Sequence, residues 1–152
     1  MAAWPGLSSL PLSDVRLVSS PGDAYLDEVL NALSGATSFV LLTAFASAAG
    51  IELITPAIRG ILARGGHGRI ILAVDRQGFN TAAVFEALLA LKQDQGDALS
   101  VGIVQEGAGL LHAKALFTQG PDGDRLLVGS ANLTRHALGT NHELGVVLTQ
   151  PP

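Results

Sequence analysis

A chain of 152 residues is long enough for one domain with a full hydrophobic core, and 48% apolar against 14% charged residues excludes a disordered segment. The lack of cysteine excludes disulfides, thiolate catalysis and cysteine-bound metals. A net charge of −4 and a pI near 5.4 count against tight non-specific binding to long DNA, although an acidic protein can still carry a positive cleft.

Residues 1–14 hold prolines and serines and read as a loose lead-in to one domain over 15–150. They show no basic stretch followed by an apolar core, so no signal peptide is expected. The run Val15 to Ser19 is a short strand, and Ser20-Pro21-Gly22-Asp23 is a turn whose Asp23 caps a helix over Tyr25 to Leu33. Thr37 to Ala44 is apolar enough for a strand buried on both faces. Ala48 to Arg64 follows as a helix that starts or kinks at Pro56, and Gly65-Gly66 stops it. The longest apolar run, Phe39 to Ile51, is broken by Thr43, Ser47 and Gly50 and falls short of the roughly 18 residues of a membrane span. A cytoplasmic protein without stable membrane association is the expectation.

Gly68 to Asp75 reads as a strand, Thr81 to Gln93 as a helix and Ala98 to Val104 as a strand, followed by a loop over Glu106 to Gly109. Leu110 to Phe117 reads as a strand, Gln119 to Asp124 as a hairpin turn and Arg125 to Val128 as the returning strand. A short helix within Asn132 to Leu138 and a last strand over Leu144 to Leu148 complete the chain. The order implies a single α/β domain with a mixed, largely parallel sheet and helices on both faces.

Chemistry concentrates in the last third. His112 and Lys114 are two apart, so a strand would set both on one face, roughly 7 Å apart. Gly129-Ser130-Ala131-Asn132 then ends a strand with small hydrogen-bonding side chains, and Asn141 and Glu143 head the next apolar run. A nucleophile, a cation, a polar pair and a carboxylate form a constellation suited to a phosphate. Ser130 alone would as readily cap the following helix, and Glu143 alone would be a strand-edge charge. Thr43 and Ser47 are candidates for lining the cleft, whereas His136 and His142 read as solvent-facing or peripheral and His67, in a loop after Gly65-Gly66, is assigned no role. No closely spaced His, Asp and Glu set implies a metal, and no cofactor is expected.

His112-x-Lys114 with Gly129-Ser130-x-Asn132 resembles the phospholipase D superfamily. Gln119 stands where that pattern usually has Asp. Domains lacking this Asp occur in some restriction endonucleases and beside DEAD/DEAH-type helicases, and Thr43 to Ile54 also looks like that branch. The resemblance implies a layered α/β/α fold and a metal-independent phosphodiesterase. His112 would attack phosphorus, Lys114 and Asn132 with Ser130 would hold the non-bridging oxygens, and Glu143 would orient the ring of His112. The mechanism needs two histidines, and this chain carries H-x-K once, so the resemblance implies a homodimer with His112 from each copy in one site. Nucleic acid is the favoured substrate. A phospholipid or small diester is an alternative, as is a non-catalytic binding module of a helicase or restriction system.

Overall fold

The computed structural model describes residues 14–152 apart from 22–23, 74–77, 79, 94 and 105–110. Residues 1–13 of the expected 1–14 lead-in, the cap Asp23 and the loop Glu106 to Gly109 lie outside the described residues, and Asp14 opens the first strand. The described residues form seven strands and four α-helices in the order β1 (Asp14–Ser20), α1 (Ala24–Ser34), β2 (Ser38–Thr43), α2 (Ala48–Ala63), β3 (His67–Ala73), α3 (Ala82–Gln93), β4 (Leu99–Val104), β5 (Ala115–Gln119), β6 (Asp124–Gly129), α4 (Arg135–Gly139) and β7 (Glu143–Gln150). One sheet contains all the strands in the order β1-β7-β6-β5-β2-β3-β4.

The single α/β domain and its mixed sheet stand as expected, but two details differ. Only β2–β3 and β3–β4 pair in parallel; the other four pairs are antiparallel. Helical crossovers join only β2, β3 and β4, whereas β5 and β6 are joined by a tight hairpin, which forces the chain to reverse. The helices also pack on one face. Right-handed crossovers between adjacent parallel strands set α2 and α3 on the same side, and α1 and α4 join them there. That side carries Phe39, Leu41, Ile70, Leu72, Leu99, Leu116, Leu127 and Val147, packed against Ile51, Ile54, Ile58, Ile61, Val84 and Leu88 of the helices. The alternate residues of the same strands form the other face, where Val15, Leu17, Val128 and Leu144 are exposed. Among the described residues, no helix covers it.

Helix α2 runs unbroken through Pro56. The proline lacks the N–H that an interior turn would use, but it lies on the exposed side, and the Thr55 hydroxyl donates to the Ile51 carbonyl at 2.8 Å. Strand β5 is shorter than expected. It begins at Ala115, so His112 and Lys114 precede it rather than sharing a strand face. Gln119 sits at its far end, five residues from Lys114, or roughly 17 Å along an extended strand. There its Nε2 donates to Asp124 at 3.0 Å, and its carbonyl accepts from the Thr37 N–H at 2.8 Å. The position of the missing Asp is a tie at the hairpin end of the sheet.

Candidate active site

The other end of the sheet gathers the exits of β2, β3 and β6 and the entries to β5 and β7. Ligands of open α/β sheets bind at this end of the parallel strands. Lys114 is buried, whereas His112, two residues earlier, is exposed. The lysine turns back: its Nζ donates to the His112 carbonyl at 2.9 Å and lies 3.1 Å from each ring nitrogen. Burial lowers the pKa of Lys114 below the ordinary 10.5, and the negative charge of Glu143 opposes that shift. Among the described residues, Lys114 forms no ion pair with a carboxylate.

The turn after β6 lies beside it. The Gly129 N–H donates to the Lys114 carbonyl at 3.2 Å, and the Ser130 N–H donates to the Leu144 carbonyl at 3.0 Å. The Ser130 hydroxyl donates to Glu143 Oε2 and accepts from the Leu144 N–H at 3.1 Å. Asn141 Nδ2 approaches the other Glu143 oxygen at 3.4 Å. Glu143 thus rests on Ser130, and no hydrogen bond links it to the His112 ring. Ser130 does not cap α4; Thr134 does, accepting from the Ala137 N–H at 3.1 Å.

Asn132 Oδ1 accepts from the Phe45 N–H at 3.1 Å. That bond fixes the amide and directs its two Nδ2 hydrogens elsewhere. Thr43 is buried, and its hydroxyl is committed twice, accepting from the Leu133 N–H at 3.1 Å and donating to the Phe45 carbonyl at 2.6 Å. Ser47 caps α2, accepting from the Gly50 N–H at 3.0 Å, while its own N–H donates to the Leu133 carbonyl at 3.0 Å. Thr43, Lys114 and Asn132 line one cavity of about 30 Å³, with Tyr25 and Ala131 in its wall. The structure therefore brings Thr43, Lys114 and Asn132 together, holds Ser130 and Glu143 as a neighbouring pair, and leaves Ser47 as a helix cap. His136 bonds to Thr140 on the surface, His142 is exposed, and His67 opens β3 at the opposite end.

Two residues escaped the sequence reading. Asn80 accepts from the Ala46 N–H at 2.8 Å and donates to the Ala44 carbonyl at 2.9 Å and the Ala73 carbonyl at 2.8 Å. It fastens the segment that holds Asn132. Its position, seven residues beyond the end of a parallel strand, was the available signal. Tyr25 is the single tyrosine of an aromatic-poor chain and is buried beneath the turn after β6. Among the described residues no three of His, Asp and Glu are grouped so that they could hold a metal ion, and no helix is long and apolar enough to cross a membrane.

The fold and site define an α/β domain with a His–Lys–Asn constellation at its strand ends. The family model described as "Cardiolipin synthase, PLD-like domain" matches residues 29–152. The chain belongs to this phospholipase D-like family. Among solved structures it is similar to the phospholipase D family member Nuc from Salmonella typhimurium, with a TM-score of 0.70 and 21% identity over 91% of this chain and 84% of that one. NucT from Helicobacter pylori matches with a TM-score of 0.61 and 17% identity over 89% and 86%. Phosphatidylserine synthase from Haemophilus influenzae matches with a TM-score of 0.65 and 15% identity, over 90% of this chain but 34% of that one. No curated protein matches the chain. Membership sets the broad chemical class, phosphodiester chemistry.

Proposed function

We propose that this protein is a metal-independent nuclease that cleaves phosphodiesters of DNA or RNA through a phosphohistidine, in a site completed by a second copy of the chain. The observation that carries the reading is Lys114: a buried cation that, among the described residues, forms no ion pair with a carboxylate and is set against the ring of an exposed histidine. A buried charge without a counter-ion is costly, and a phosphate is the ligand that would relieve the cost.

In the first step a ring nitrogen of His112 attacks phosphorus, and the bond to the leaving oxygen breaks. The partner's His112 gives that oxygen its proton. In the second step a water gives a proton back to the partner's histidine, and its oxygen attacks phosphorus. The P–N bond breaks, releasing a phosphomonoester and free His112. Lys114 and the Asn132 amide offset charge on the non-bridging oxygens. Glu143 acts through Ser130, to which it is hydrogen-bonded, holding the turn that carries Asn132.

The test incubates the protein with single- and double-stranded DNA, RNA and bis-p-nitrophenyl phosphate in EDTA, beside His112→Ala. Cleavage by the wild type alone supports the reading. Cleavage that requires added Mg²⁺ overturns the mechanism. Specific activity should fall on dilution as a dimer seen by sedimentation dissociates; full activity in a proven monomer overturns the shared site. A second reading, phospholipid hydrolysis or headgroup transfer, is favoured by the lipid-synthase description of the matched family and by the phosphatidylserine synthase likeness. Release of headgroup from phosphatidylglycerol vesicles, with no cleavage of nucleic acid, would establish it.

A further inference from the structure

Tyr25 stands in the first turn of α1, and its phenol is buried against the cross-strand pair Gly129 and Gly145. A Cβ added at Gly129 would come 2.3 Å from the phenolic oxygen, and one at Gly145 would come 2.9 Å from it and 3.0 Å from the ring edge. Both strands carry glycine where the tyrosine lies on them, so ring and backbone touch without a side chain between. The same phenol helps wall the cavity of Lys114 and Asn132. Ser130 and Ala131 follow Gly129 directly, and Glu143 precedes Gly145 by two residues. Burial, with the charge of Glu143 adding to it, pushes the phenol's pKa up, so Tyr25 stays a neutral hydroxyl packed against this backbone.

We propose that Tyr25 is a positioning residue for the phosphate site: it forms the floor on which the Gly129–Asn132 turn rests and fixes where Ser130 presents to Glu143. The inference rests on the reading of this site as a phosphodiesterase centre. Removing the hydroxyl takes away the atom packed beneath Gly129 and Gly145, while Lys114 and Asn132 keep their own bonds. The loss therefore falls on turnover rather than on substrate binding.

The test compares the wild type with Tyr25→Phe and Gly145→Ala, the second pressing on the ring from the strand side. Amide hydrogen exchange at Ser130 and Ala131 should quicken by about tenfold or more in Tyr25→Phe, with the strand amides unchanged. In the cleavage assay kcat should fall by about 10- to 100-fold at nearly constant KM, and Gly145→Ala should show the same split. In a Ser130→Ala background, Tyr25→Phe should cost less than about twofold, because both changes act on one turn. Unchanged exchange at the turn overturns the proposal, as does faster exchange throughout the sheet or faster exchange with kcat intact. If the wild type cleaves no diester, the proposed function falls, and the exchange measurement alone judges Tyr25.

Discussion

Lys114 is the residue whose environment most departs from ordinary. A lysine in water carries its proton to about pH 10.4; here burial lowers that point, and the charge of Glu143 only partly restores it. Phosphate affinity, measured by calorimetry against pH, should therefore decline on an alkaline limb below 10.5. In Lys114→Arg that limb should vanish from the same range, because a guanidinium keeps its proton. Stability without an anion runs the other way. The folded state holds this proton less tightly than the unfolded chain, so stability rises as pH climbs from the folded value to the unfolded one. Lys114→Met, of similar length and no charge, should gain about 1 kcal/mol in urea denaturation while losing phosphate binding. A loss of stability would show that the lysine is a structural strut.

At the scale of elements, the site is a set of straps. The segment from Thr43 to Ser47 is fastened to Leu133 by three hydrogen bonds and to Asn132 by a fourth, and Asn80 pins the same segment to the end of β3. Asn80→Ala removes three bonds at 2.8–2.9 Å and leaves backbone groups unpaired, which should cost about 2–3 kcal/mol, seen as a lower urea midpoint at unchanged slope. An unaffected midpoint would mean that water replaces the amide. This layer was hidden in the sequence for a physical reason. Hydrophobic period places α1, α2 and α3, because each must bury a stripe, and spacing brings His112, Lys114 and Asn132 forward. A side chain that bonds to distant backbone, as Thr43 and Asn80 do, has no period and no local partner. Thr43 was legible as part of the site but not as a strap. Lys114 was legible as a cation, but its turn back over His112 depends on β5 beginning only at Ala115.

At the scale of the molecule, the number of faces covered was the least legible feature. An apolar run reads alike whether one or both sides are packed, and chain order alone does not say where the crossovers return. Phe39 and Leu41 pack under helices, whereas Val15, Leu17, Val128 and Leu144, equally apolar, face outward. That uncovered side has a thermal consequence. The heat-capacity increment of unfolding tracks newly hydrated apolar area, and an ordinary domain of this length would show about 2 kcal/mol/K. A sheet already wet on one side has less to expose, so scanning calorimetry of the monomer should return a smaller increment. The stability curve would then be flatter and broader, and folding would lose less of its driving force in the cold.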